Sequence, residues 1–97
     1  MNDRIRKNEE KLDRIVEVVD RLATALFDFE NIKKDIIDVN KYYGSNDWFN
    51  DKNLFEQGGV VDIKAGVLSE DAVWDVDVNI KELLEKMSEI LDLYKCI

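Results

Sequence analysis

The stretch Ile15-Val16-Glu17-Val18-Val19-Asp20-Arg21-Leu22-Ala23-Thr24-Ala25-Leu26-Phe27-Asp28-Phe29 decides the fold class. With Ile5 taken as heptad position a, Leu12, Ile15, Val19, Leu22, Leu26, Phe29, Ile36 and Tyr43 all fall at a or d. A second line, Val18, Ala25, Ile32 and Val39, falls at g, and Val16, Ala23 and Ile37 fall at e; Lys33 and Asn40 interrupt a. An a/d stripe alone describes a two-stranded seam, whereas a, d, e and g together make a face that one partner helix does not cover. No Gly or Pro occurs between Met1 and Tyr43. The pattern therefore predicts one continuous arm over 15–43, in a bundle of three or more helices.

Upstream, residues 1–14 offer only Met1, Ile5 and Leu12 to a core, among Arg4, Arg6, Lys7, Lys11 and Arg14. They read as a polar helical extension, with fraying as the alternative. Downstream, Val73, Val76, Ile80, Leu83, Met87, Ile90 and Tyr94 step alternately by 3 and 4, with Leu84 and Leu91 widening the stripe. This predicts a last helix from about 69 to 95, with Ser69 as N-cap and Glu70 and Asp71 against its positive end. Trp74 to Ile80 also alternates with period 2, and Asn79 followed by Glu82 resembles a fresh capping box, so a kink at 77–79 is an open alternative. Rods of about 43 Å and 40 Å, at ~1.5 Å per residue, match as antiparallel arms.

Residues 44–68 form the connector and hold all four glycines. Gly44-Ser45-Asn46-Asp47 reads as a turn and helix start. Trp48 to Gln57 reads as a short helix stopped by Gly58-Gly59, and Val60-Val61-Asp62-Ile63 as an extended apolar patch. Tyr42, Tyr43, Trp48, Phe49 and Phe55 crowd together in sequence, and with Trp74 they are expected to plug one end of the bundle. The fold expected is all-α in a single domain, 1–97. It has a long N-terminal helix, a short middle helix in an aromatic-rich connector, and an antiparallel C-terminal helix.

Composition removes several chemistries. The 97 residues contain no His and one Cys, which excludes Ser-His-Asp and Cys-His catalysis, His-ligated zinc and an internal disulfide. With 14 Lys and Arg against 22 Asp and Glu the net charge is −8, unsuited to direct contact with nucleic acid or an anionic membrane. The absence of a long apolar run or a signal-like N-terminus makes the cytoplasm the expected location. Acidity concentrates in 44–78, where Asp47, Asp51, Glu56, Asp62, Glu70, Asp71, Asp75 and Asp77 face only Lys52 and Lys64. Solubility and helix capping explain this more simply than a docking site for a basic partner.

Motif by motif, the bland reading is preferred. Asp75-x-Asp77-x-Asn79 opens like a calcium loop, but position six is Ile80 and position twelve is Lys86. Asp71 and Asp75, four apart, could share a divalent ion with Asp47 or Asp51, yet the Glu-x-x-His pair of bundle metal sites is missing. Gly58-Gly59 lacks the Gly-Lys-Ser/Thr completion of a phosphate loop. Cys96 has only Lys95 to activate it and reads as a passive terminal thiol. Trp48 and Trp74 read as core before groove.

Two segments, Tyr42-Tyr43-Gly44-Ser45-Asn46-Asp47-Trp48 and Gly66-Val67-Leu68-Ser69-Glu70-Asp71-Ala72-Val73-Trp74-Asp75, together resemble a family of small bacterial proteins known as a domain of unknown function. Its marks are an aromatic-Ser-x-x-Trp turn and a Gly-Val-Leu-Ser-Glu-Asp segment before the last helix. Ser45, Trp48, Ser69, Glu70, Asp71 and Asp75 match them, while Trp74 stands where the family more often has Tyr. The resemblance implies an all-helical cytosolic bacterial protein and carries no activity. It leaves open whether these residues mark a binding surface or a packing joint.

The function expected is protein–protein interaction, through a homodimer, a partner, or both, with no catalysis and no cofactor. Asp47, Trp48, Asp51, Glu70, Asp71, Trp74 and Asp75 are the candidate interaction surface. The alternatives are an acidic decoy of a nucleic-acid-binding surface and, more remotely, a metal-dependent enzyme using Asp47, Asp51, Asp71 and Asp75.

Overall fold

The computed structural model describes residues 2–59 and 63–97. Among these the chain is helical throughout, with no strand: α1 (Asn2–Asn31), α2 (Lys33–Tyr42), α3 (Asn46–Glu56), a 3-10 turn (Gly66–Leu68) and α4 (Ala72–Lys95). The all-α expectation holds, including the long first helix and a short helix in the connector. Val60, Val61 and Asp62, most of the expected extended patch, lie outside the described residues.

Two compact units divide the chain, Met1–Ile36 and Ile37–Ile97. The first is essentially α1. Its polar start is helical from Asn2, as the extension reading expected. Its apolar face is exposed, with Ile15 at 58%, Val19 at 55% and Leu22 at 52%. A unit made of one helix and the start of another has no second layer on which that face could close.

The continuous arm expected through Tyr43 is corrected. The helix is interrupted at Ile32, whose N–H bonds to the Phe29 carbonyl at 3.3 Å, three residues back instead of four. No Gly or Pro forces this. The break coincides with Lys33 at an a position, where the apolar stripe itself fails.

The second unit is built from short elements joined by chemically specified turns. Gly44 takes φ of 78°, which only Gly adopts without penalty, and ends α2. Ser45 then caps α3: its Oγ accepts from Trp48 N–H at 3.2 Å and donates to the Tyr42 carbonyl at 2.6 Å. The far end closes as a Schellman motif. Gly58 N–H bonds to the Phe55 carbonyl at 3.0 Å, and Gly59 N–H to that of Leu54 at 2.9 Å. The Leu54 side chain lies over Gly59, where an added Cβ would come within 2.4 Å of Leu54 Cδ1. The expected Gly58-Gly59 stop is thus present in full.

α4 runs unbroken through 77–79, so the kink alternative is not realised. Lys81 and Asp77 pair across one turn there at 2.8 Å. Ser69 does act as a cap, its Oγ accepting from Asp71 N–H at 3.3 Å and Ala72 N–H at 3.4 Å, although the helix itself starts at Ala72. The only buried side chains among the described residues are Trp48, 4% exposed, and Leu68, 8% exposed.

Candidate functional site

Trp48 is the centre of the second unit. Ser45 caps the first turn of α3 and so sets where Trp48 projects. Its indole N–H donates to the Val67 carbonyl at 2.9 Å, which pins the 3-10 turn onto α3. Tyr43 and Phe49 meet the indole edge-to-face at centroid distances of 5.1 Å and 4.9 Å. Lys52, one turn along α3, holds its ammonium 5.1 Å from the indole centroid and pairs with Glu70 Oε1 at 2.6 Å. Glu70 is held a second time, its carbonyl accepting from the Tyr43 hydroxyl.

The two segments of the family resemblance therefore meet. Tyr43, Ser45 and Trp48 come from the first; Val67, Ser69 and Glu70 come from the second. Their groups bond each other or cap helices, which makes them a packing joint.

The electrostatics follow the contacts. Tyr42 donates its hydroxyl to Asp51 Oδ2 at 2.7 Å. That bond first, then partial burial and the Asp51 and Asp47 charges, pushes the Tyr42 phenol up to about 12. The bond to Glu70 is the main cause raising the Lys52 ammonium above its ordinary range, and the same bond lowers the Glu70 carboxyl.

The expected interaction-surface residues separate under this geometry. Trp48 is core. Trp74, read as core and as part of the aromatic plug, is corrected: it is 61% exposed, and the ring partners of Trp48 are Tyr43 and Phe49. Asp51 is taken by Tyr42 and Glu70 by Lys52, while Asp47, Asp71 and Asp75 are exposed. Of the acids that motivated a decoy reading, Asp51, Glu70 and Asp77 are thus already engaged within the chain. Among the described residues no three Asp, Glu or Cys side chains come together as a metal-holding group. Cys96 is exposed.

Sequence reasoning overlooked Lys52 and the Val67 carbonyl as members of the joint, and it grouped Tyr43 with the aromatics without linking it to Glu70. Lys52 stands four residues after Trp48, a spacing that puts both on one helix face, so that contact was available to it. A cleft of about 270 Å³ lies beside the joint, lined by Tyr42, Asp51, Leu54, Phe55, Val67 and Leu68 among others. Its walls are mostly apolar, and the Tyr42–Asp51 pair at its edge is satisfied internally.

No helix among the described residues is long and apolar enough to cross a membrane. No curated protein and no solved structure matches the chain. A family model does match, over residues 5–90, which takes in most of α1, the Trp48 joint and most of α4. The chain belongs to the family described as Domain of unknown function (DUF4298).

Proposed function

We propose that this protein is a non-catalytic association module whose work is done by the apolar face of α1, in self-association before any other partnership. One observation carries this. Ile5, Leu12, Ile15, Val19, Leu22 and Leu26 form a stripe broken only by Asn8, each between 39% and 62% exposed, in a unit with no second layer. A lone helix is marginal in water, so a stripe of this length gains from being covered. Burying the exposed part of each side chain contributes about 1 kcal/mol. Summed over two copies, that is comparable to the roughly 4–15 kcal/mol that association costs. The expected outcome is reversible assembly in the micromolar range.

The Trp48 joint supports the same reading from the other side. Its polar groups are spent on each other, whereas the apolar stripe of α1 stays exposed. Sedimentation velocity or light scattering at about 10–50 µM checks the proposal. A mass of two or more chains is expected, and a strictly monomeric species overturns it.

A further inference from the structure

The charges beside the α1 stripe are sorted by side. At positions g and c lie Arg4, Lys7, Lys11, Arg14 and Arg21, with Asp28 as the one acid. At positions e and b lie Glu9, Asp13, Asp20 and Glu30, with Arg6 as the one base. Arg6 is already paired with Asp3 one turn back. None of the other bases or acids on these flanks has an ion-pair partner among the described residues. One helix thus carries a basic border and an acidic border along the same apolar seam.

We propose that the occupant of the α1 face is α1 of a second copy, parallel and in register. In a parallel pair the g side of each helix meets the e side of the other, so both borders face the opposite sign. Arg4 at g then lies beside Glu9 at e of the second copy. An antiparallel pair sets g against g and e against e, which forfeits the Arg4–Glu9 pairing and brings Arg14 near Arg21 and Asp13 near Asp20 of the second copy. Register follows from Asn8, the one polar residue at an a or d position between Ile5 and Phe29. Its Nδ2 donates to the Arg4 carbonyl at 2.8 Å, which leaves the Oδ1 acceptor and a second N–H free for a partner. In-register parallel pairing seats the two Asn8 amides together, where each can bond the other. An antiparallel pair centred on the seam sets Asn8 against Leu26, leaving a polar group without a partner of its own kind. This inference rests on the self-association reading and adds its geometry.

Disulfide trapping in the full-length chain tests it. Two variants, Asn8→Cys and Leu22→Cys, each carry Cys96→Ser so that one thiol remains. Parallel, in-register pairing places each new thiol beside its own copy, so each variant alone is expected to oxidise mostly to a covalent dimer in a glutathione buffer. In the antiparallel pair Leu22 lies opposite Leu12, and the two thiols introduced by Leu22→Cys would sit about 15 Å apart along the axis, at ~1.5 Å per residue. A chain that sediments as a dimer yet forms no disulfide through either position overturns the parallel geometry while leaving self-association standing. So does efficient crosslinking seen only when Leu12→Cys and Leu22→Cys chains are mixed. A monomeric chain overturns both. The borders are tested separately: Lys7→Glu, Lys11→Glu and Arg14→Glu together should weaken self-association at least tenfold at low salt. Mixing that chain with one carrying Glu9→Lys, Asp13→Lys and Asp20→Lys should restore pairing. Unchanged dimerisation of the first variant contradicts the role of the charged borders.

Discussion

Trp48 and Trp74 have the same side chain and opposite situations. Trp48 is covered on its faces and edges and its N–H is satisfied by Val67, whereas Trp74 is mostly in water. Trp48→Phe should destabilise the second unit by about 1–3 kcal/mol, because it vacates volume and leaves the Val67 carbonyl without its donor. Trp74→Phe should stay within about 0.5 kcal/mol. Urea unfolding followed by the remaining tryptophan's fluorescence measures both, and similar losses at the two positions would contradict the assignment. Tyr42 offers a second residue-level check. Its phenol is raised from 10.0 to about 12 by its bond to Asp51, so the bond contributes fully below pH 10 and is lost as the pH climbs through 12. Absorbance at 295 nm should show one tyrosine titrating late, and Tyr42→Phe should abolish that late step alone. Trp48 as core was legible in the sequence, but the contrast with Trp74 and the Tyr42–Asp51 bond were not. The chain has two Trp in similar polar-apolar surroundings, and only the return of residues 67–70 onto α3 tells them apart.

Among the elements, the boundaries set by local bonds were the readable ones. Ser45, Gly44 and the Gly58-Gly59 pair act through partners no more than five residues away, so composition and spacing suffice to place them. Ser45→Ala should remove the Trp48 N–H acceptor at the start of α3 and cost about 1 kcal/mol, measured as a lowered thermal midpoint with unchanged helix content below the transition. Because that cap also orients Trp48, near-UV circular dichroism should weaken before far-UV does. The interruption at Ile32 was not readable. It contains no helix-breaking residue, and its only trace in sequence is Lys33 entering the a position. The same limit applies at 77–79, where a capping-box pattern is present but the backbone stays helical and Asp77 pairs with Lys81.

For the whole molecule, the exposed apolar stripe of α1 is the feature on which the association reading rests. Leu22→Asp places a carboxylate in the middle of that stripe and, if two chains share it, in the middle of their interface. It should weaken self-association at least tenfold by sedimentation, while the unfolding of the Trp48 joint, which uses none of α1, stays unchanged. Equal loss of both would mean that the substitution acts on folding instead of on assembly. The amino-acid order by itself determined the helical class, the caps and the Gly stops. It also determined the heptad stripe with its two oppositely charged borders, since all of these depend on neighbours within one or two helical turns. Only the tertiary structure decided which tryptophan is core, that Glu70 is held by both Tyr43 and Lys52, and that the two motif segments form one joint. Those contacts span 18 to 27 residues of chain. Their energy depends on burial and on a partner's arrival, which local propensity does not encode.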